Sequence, residues 1–166
     1  VAIMNGNTRT GTIYGLLGSA GAKYRFTDFL SFETKISLDL NYARSNLFFE
    51  PGFADGRNTN GWVLVNNSLW NNWVSTNILR FNRRWGHHGI STFVGYEAQE
   101  TRNIGNASEA SNLLPNLNRL EDASKPESVS SVASANSLTG IFLNNSYDYQ
   151  QKYYLTASIR RDASSR

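Results

Sequence analysis

The histidines are the first residues to consider for chemistry, because imidazole is a common metal ligand and titrates near neutral pH. The chain has two, and they are adjacent, at His87 and His88. Adjacent side chains in a tight turn point in divergent directions, and the chain has no Cys to complete a thiolate site. The sequence therefore predicts no metal site and favours a turn or interface role for this pair.

Two further stretches resemble functional patterns without meeting their requirements. The run from Gly15 to Lys23 is rich in Gly and Ala, but a phosphate-binding loop needs Ser or Thr after its Lys, and here Tyr24 follows. Glu97 and Glu100 have an odd spacing, so on a strand they point to opposite faces and cannot flank one bond. No nucleophile is accompanied by a base and an orienting group. We therefore expect neither an enzyme nor a cofactor.

Residues 29–42 have the clearest periodicity in the chain, and its period is two. One face carries Leu30, Phe32, Thr34, Ile36, Leu38, Leu40 and Tyr42, and the other carries Phe29, Ser31, Glu33, Lys35, Ser37, Asp39 and Asn41. Such alternation predicts a strand with one apolar and one polar face. The segment is much longer than an ordinary strand of about 5–6 residues. A tilted strand that crosses a bilayer takes about 9–11 residues, so the length favours a membrane strand.

Five other segments alternate with less purity, at residues 12–26, 70–85, 90–99, 139–149 and 153–161. Short turns at residues 27–28, 86–89 and 150–152 alternate with long polar links at about residues 45–68 and 103–138. Outer-membrane barrels have short periplasmic turns and long extracellular loops. The fold class we predict is therefore all-β, with about six long strands in three hairpins. They would form an antiparallel up-and-down segment of a transmembrane β-barrel.

The second long link has two features of its own. Leu113, Leu117 and Leu120 have helical spacing, which predicts a short surface helix over residues 112–120 with Pro115 near its first turn. Residues 123–135 are rich in Ser, Lys, Glu and Val, which predicts a mobile stretch.

The polar faces of the predicted strands supply the residues that we expect to face the lumen. These are Glu33, Lys35, Asp39, Glu97 and Arg160. Glu97 is expected to pair with an Arg or Lys from a neighbouring strand. Aromatic side chains collect beside all three short turns, at Tyr24, Phe26, Trp85, Tyr147, Tyr149, Tyr153 and Tyr154. Amphipathic rings at the lipid–water boundary form the girdles of membrane barrels, so we predict a girdle here.

Composition limits the other classes of protein. Charged residues are 17% of the chain, against roughly 25% in a typical globular domain, while aromatics are 13%. The net charge of +3 is spread along the chain, without the dense basic patch of a nucleic-acid-binding face. A soluble carbohydrate-binding or adhesive β-sandwich can share this composition and remains an alternative. The chain begins and ends in mid-sequence, and we expect both ends to be cuts in a longer protein.

Three ordered stretches carry a likeness to a known family. Residues 145–149 and 152–166 are similar to a Tyr-rich turn, an ascending strand and an Arg-Asp-Gly-Ser-Ser-Arg ending. Residues 85–97 contain a His-His pair followed by Gly-Tyr-Glu, and residues 29–42 resemble an earlier hairpin. Together they resemble the SusC/RagA family of TonB-dependent transporters of Bacteroidota. Ala163 departs from the pattern, because the family has Gly there, and Ala would be strained if that position needs a positive φ.

The resemblance implies a wall segment of a large, 22-stranded outer-membrane barrel. The plug domain and the remaining strands would lie outside this sequence. It also implies a SusD-like lipoprotein as a lid, TonB acting through the plug, the lipid bilayer around the wall, and oligosaccharides or peptides as substrates. The loop aromatics Phe48, Phe49 and Trp62 would contact substrate or, as we favour, the lid protein. A barrel of the same family with a structural or secretion-associated role is a further alternative.

Overall fold

The fold is taken from a computed structural model that describes residues 6–52, 54–114 and 117–165. It consists of long strands with two short helical turns between them. The strands are β1 (Thr8–Arg25), β2 (Leu30–Phe49), β3 (Trp62–Trp85), β4 (His88–Leu113), β5 (Ala123–Tyr149) and β6 (Tyr153–Ser165). They form one antiparallel six-stranded sheet in the order β1-β2-β3-β4-β5-β6. The predicted fold class is confirmed, and a single sheet in sequential order differs from the two packed sheets of a sandwich.

The three short turns lie where the sequence predicted them. Residues 26–29 join β1 to β2, Gly86 and His87 join β3 to β4, and residues 150–152 join β5 to β6. Gly86 has φ +52, and Gln150 and Gln151 have φ +54 and +58. These left-handed conformations allow two strands to reverse over a few residues.

The long links are much shorter than predicted. Connections span residues 50–61 and 114–122, instead of about 45–68 and 103–138, because β2, β3, β4 and β5 extend into the expected loops. Residues 123–135, predicted to be mobile, begin β5, so that prediction was wrong. Small polar residues on both faces hide the period of two there, but this stretch pairs with β4 all the same.

The connections contain a different helix from the one expected. Strand β4 continues to Leu113, and a 3-10 turn covers Leu120–Asp122, so the described residues within 112–120 do not form the predicted helix. Pro115 lies outside the described residues. A four-residue α-helix, α1, covers Ala54–Arg57 in the first connection.

Ala163 is accommodated without the strain that the sequence raised. It lies within β6, directly opposite Thr139 of β5. Among the described residues, the non-glycine positions with positive φ are Asn60, Asn112, Gln150 and Gln151. Ala163 is not one of them, so extended backbone suits it.

The chain divides into two compact units, each made from parts of the strands. The first contains residues 1–16, 40–71 and 102–134, and with them both long connections. Its small apolar core consists of Val63, Ala110 and Leu113, against which Phe48, Val65, Leu120 and Ala123 pack.

The second unit contains residues 17–39, 72–101 and 135–166, and with them all three short turns. Large apolar side chains on its strands stay exposed, including Ile36, Leu79, Val94, Tyr96, Ile141, Leu155 and Ile159. These residues all lie on one face, as alternation along each strand requires. In this unit the strands thus have an apolar face that no described residue covers. Among the residues described, no helix has the length and apolar character needed to cross a membrane.

Candidate functional site

The polar face of the second unit carries a row of contacts that crosses five strands. We call it the belt, and its members are Glu33, Arg80, Phe93, Phe142, Arg160 and Glu97. Glu33 of β2 lies 3.6 Å from Nε of Arg80 in β3. The same guanidinium lies 5.1 Å from the ring centroid of Phe93 in β4. Phe93 meets Phe142 of β5 edge to face, with their centroids 6.1 Å apart.

The belt ends at Arg160 in β6. Its guanidinium lies 5.4 Å from the ring centroid of Phe142, the residue directly opposite it in the sheet. Nη2 of Arg160 donates to Glu97 over 3.1 Å, and Nε donates to Asp162 over 2.8 Å. The hydroxyl of Thr76 also donates to Glu97, over 3.4 Å. Glu97 pairs with an arginine, as expected, but the expectation that the partner lies on a neighbouring strand was wrong, because β5 separates β4 from β6.

Glycines make room for the belt. A Cβ at Gly95 would lie 2.1 Å from the ring of Phe142, and one at Gly140 would lie 2.5 Å from the carboxylate of Asp162. Any larger residue would have to displace the ring or the carboxylate. Gly95 thus permits the close approach of Phe142 to the sheet.

The charged groups of the belt remain in contact with solvent. Arg160 is 44% exposed and its partner Glu97 is 30% exposed. Ion pairs at such exposure contribute about 0–1 kcal/mol each. The belt therefore orients donors and acceptors along the wall more than it stabilises the fold. In the described ranges, no group of three or more His, Asp or Glu could hold a metal ion.

A second ion pair lies nearer the turns on the same face. Nη2 of Arg84 donates to both carboxylate oxygens of Asp148, over 2.9 and 2.8 Å. An open hollow of about 460 Å³ lies beside this pair. Its polar lining includes Asn82, Ser91, Ser146, Tyr154 and Thr156.

Lys35 and Asp39 lie on β2 at even spacings from Glu33, so they share its face. Lys35 lines a shallow hollow of about 350 Å³ together with Glu33 and residues 19–23 of β1. All five residues predicted to face the lumen thus lie on the polar face. That this face borders a lumen stays a prediction.

In the first unit, the three loop aromatics separate into two groups. Phe49 and Trp62 stack at the ends of β2 and β3, with centroids 5.2 Å apart and planes 21° apart. Phe48 points to the other side of the sheet and packs against the core that contains Val63. The separation follows from the alternation of side chains along a strand. Phe49 and Trp62 therefore form an aromatic pair on the side away from that core.

Two asparagines fix the backbone next to this pair. Asn60 and Asn112 both have positive φ, at 50° and 58°. The amide of Asn60 donates to the side-chain oxygen of Asn112 over 2.7 Å, and the backbone N–H of Leu113 donates to the carbonyl of Asn60 over 2.9 Å. This link joins the first connection to the end of β4. The Asn60-Gly61 dipeptide was a turn signal that sequence reasoning missed.

Glu127 is held at the loop side of β5, near the second connection. Lys125 donates to its carboxylate over 2.8 Å, and the buried hydroxyl of Ser111 donates over 2.5 Å. These two hydrogen bonds lower the pKa of the Glu127 carboxyl below its ordinary 4.5. The ionised form is thus the one that fits this site.

Comparison with known proteins bears on the identity of this wall. No family model matches the chain. A curated relative, TonB-dependent receptor P3 of Formosa agariphila, is 28% identical over 147 residues, which is 87% of this chain. The chain resembles the TonB-dependent receptors, as the sequence predicted. It spans only 15% of the length of that receptor.

Solved structures of a peptide transporter share the fold. The RagAB peptide transporter matches with a TM-score of 0.87 and 13% identity, over 95% of this chain and 18% of its own. The closed-closed state of the RagAB peptide importer matches with a TM-score of 0.80 and 16% identity, over 96% of this chain and 18% of its own. The long strands and short turns of this chain thus have the fold of a segment of these transporter structures.

Proposed function

We propose that the chain forms part of the wall of a SusC-like, TonB-dependent nutrient importer in the outer membrane of a Gram-negative bacterium of the Bacteroidota. The observation that carries the proposal is the 28% identity to a TonB-dependent receptor along most of the chain. The known relatives are receptors and transporters, and we propose transport without an enzymatic step.

The two faces of the sheet support this role. On β2, apolar positions recur from Leu30 to Tyr42 over 13 residues. At about 3.3 Å per residue the run is roughly 40 Å long, and a tilt of about 45° reduces its height to about 30 Å, the thickness of a bilayer core. The apolar face would border lipid, and the polar face with its belt would border the lumen.

The ends of the strands have different roles in this proposal. The two long connections, at residues 50–61 and 114–122, would lie outside the cell, and the short turns would lie in the periplasm. A SusD-like lipoprotein would cover the connections as a lid. TonB would act through a plug domain outside this segment.

The Phe49–Trp62 stack is the contact that we propose for the lid protein. The two rings already cover part of each other, so they present a rigid apolar ridge more than a flat open platform. We propose oligosaccharides or peptides as the substrate class. RagAB is a peptide transporter, which favours peptides. A stacking aromatic would also suit a sugar ring.

The test uses the full-length protein in cells. Strains with and without the protein are given labelled oligosaccharides and labelled peptides, in the presence and absence of functional TonB. We expect uptake of one class, lost without the protein and lost without TonB. Equal uptake in all strains would contradict the importer assignment.

The lid contact is tested separately. Trp62→Ala should reduce the amount of lipoprotein that co-purifies with the barrel. Trp70→Ala is the matched control, because Trp70 lies on the same strand at an even spacing from Trp62. If both variants retain the lipoprotein equally, the lid contact lies elsewhere.

A further inference from the structure

A collar of aromatic rings surrounds the short turns on the apolar face of the second unit. Tyr24 and Phe26 meet edge to face, with centroids 5.0 Å apart. Phe29 and Phe81 meet in the same way at 5.6 Å, and Phe81 lies 6.2 Å from Trp85. Tyr147, Tyr149 and Tyr153 continue the collar onto β5 and β6. The sequence predicted a girdle at these turns, and these rings lie on the apolar side. Two parts of the prediction were wrong. Phe29, expected on the polar face, precedes β2 and meets Phe81 on the apolar side. Tyr154, expected in the girdle, lines the hollow beside Arg84 on the polar face.

One cation lies within the collar. The guanidinium of Arg83 is 4.7 Å from the ring centroid of Phe29 and 5.2 Å from that of Trp85. Arg83 is exposed, and within the described ranges it has no carboxylate partner. Its neighbour Arg84 points to the opposite face. Arg84 is therefore paired with Asp148, whereas Arg83 keeps its charge on the apolar face.

A second polar group lies across the same hairpin. Because Gly86 and His87 form a two-residue turn, His88 lies opposite Trp85. Nδ1 of His88 is 2.7 Å from the hydroxyl of Tyr147, and its ring is 5.1 Å from that of Tyr149. The hydroxyl and the imidazole extend the polar edge of the collar.

The short turns carry more positive than negative charge, unlike the rest of the chain. Residues 23–29, 83–88 and 148–152 contain five Lys or Arg and two Asp, a net charge of +3. The whole chain has a formal net charge of +3, so the remaining residues are balanced. The excess positive charge therefore lies entirely at the turns.

We propose that Arg83 and the collar bind the headgroup of an anionic phospholipid in the leaflet at the level of the turns. A guanidinium forms two parallel hydrogen bonds to phosphate, and aromatic rings settle at the glycerol level of a bilayer. The rings hold Arg83 in place, so less side-chain entropy is lost on binding. This inference rests on the proposed membrane role of the wall.

The test measures lipid retained by the full-length protein in detergent. Phosphatidylglycerol and zwitterionic phosphatidylcholine are added in turn, and bound lipids are counted by native mass spectrometry. We expect preferential binding of phosphatidylglycerol, reduced about fivefold in Arg83→Gln. Arg83→Lys keeps the charge and should retain more lipid than Arg83→Gln. A denaturing gel checks the folding of each variant, because an unheated, folded barrel migrates differently from a heated, unfolded one.

Arg25→Gln is the matched control, because it removes the same charge at the same turns from the other face of β1. It should leave phosphatidylglycerol binding unchanged. Equal loss in Arg25→Gln and Arg83→Gln, or equal binding of the two lipids by the wild-type protein, would overturn the proposal. Displacement of the lipid by millimolar inorganic phosphate would also overturn it, because the rings would then contribute nothing.

These outcomes are separate from those of the importer proposal. A barrel with the lipid preference that imports nothing would contradict the transport role alone. A protein that stays soluble without detergent and retains no lipid would contradict both.

Discussion

The carboxylate of Glu97 and the guanidinium of Arg160 lie 3.1 Å apart, although a whole strand separates β4 from β6. Two strand spacings amount to about 9.6 Å. Arg160 spans that distance by lying over the ring of Phe142, the intervening residue on β5. The ring therefore determines where the guanidinium can go, and Gly95 determines where the ring can lie.

Gly95 is the position at which this arrangement is easiest to break. Gly95→Ala should push Phe142 away from β4 and destabilise the wall by about 1–3 kcal/mol, the usual cost of overpacking. Gly18→Ala is the control, since a Cβ at Gly18 would meet nothing within 4 Å. Thermal unfolding of the full-length barrel in detergent measures the difference. Equal melting temperatures for the two variants would show that Phe142 moves at no cost.

The two faces of β2 should tolerate charge very differently. Ile36 is 54% exposed on the apolar face, and Ser37 follows it on the polar face. Ile36→Arg should cost about 2–4 kcal/mol if the residue lies near the bilayer midplane, while Ser37→Arg should cost much less. Refolding into lipid vesicles with a denaturant titration gives both values. Equal tolerance at the two positions would contradict the assignment of the apolar face to lipid.

Glu127 makes the loop side of the wall sensitive to acid. Its pKa is lowered in the folded state, so its hydrogen bonds stabilise the fold fully above pH 4.5, and this contribution is lost as the pH falls through the lower folded pKa. Hydrogen exchange of the backbone near Ser111 should therefore accelerate in that acid range. Glu127→Gln should remove this pH dependence. If exchange in the variant and the wild-type protein responds identically to pH, Glu127 is not the group responsible.

The sequence predicted the middle of each strand far better than its loop-side end. Residues 29–42 alternate cleanly because one face needs apolar side chains and the other needs polar ones. Residues 123–135 lack that contrast, since Ser, Asn and Val occur on both faces. Their strand structure comes from pairing with β4, which no local pattern records.

The candidate site was likewise predicted only in part. The face of Glu33, Lys35 and Asp39 followed from counting positions along one strand. The partner of Glu97 did not, because it depends on strand order, register and the reach of Arg160 over another strand. The Asn60–Asn112 hydrogen bond was missed for a related reason. Each asparagine alone is an ordinary turn residue, and only the folded chain brings the two together.

The orientation of the wall can be tested with single cysteines placed in this segment, which has none of its own. Asp55 in the first connection and Glu121 in the second are exposed, as are Asp28 and Gln151 in the short turns. If the connections face outward, Cys at the first two positions should react with an impermeant thiol reagent on intact cells. Cys at the turns should react only after the outer membrane is permeabilised. Binding of the lid lipoprotein should reduce labelling at the connections further.

Labelling of the turns alone on intact cells would reverse the orientation. Labelling of all four positions would mean that the sheet does not span the membrane, and the importer proposal would fail with it.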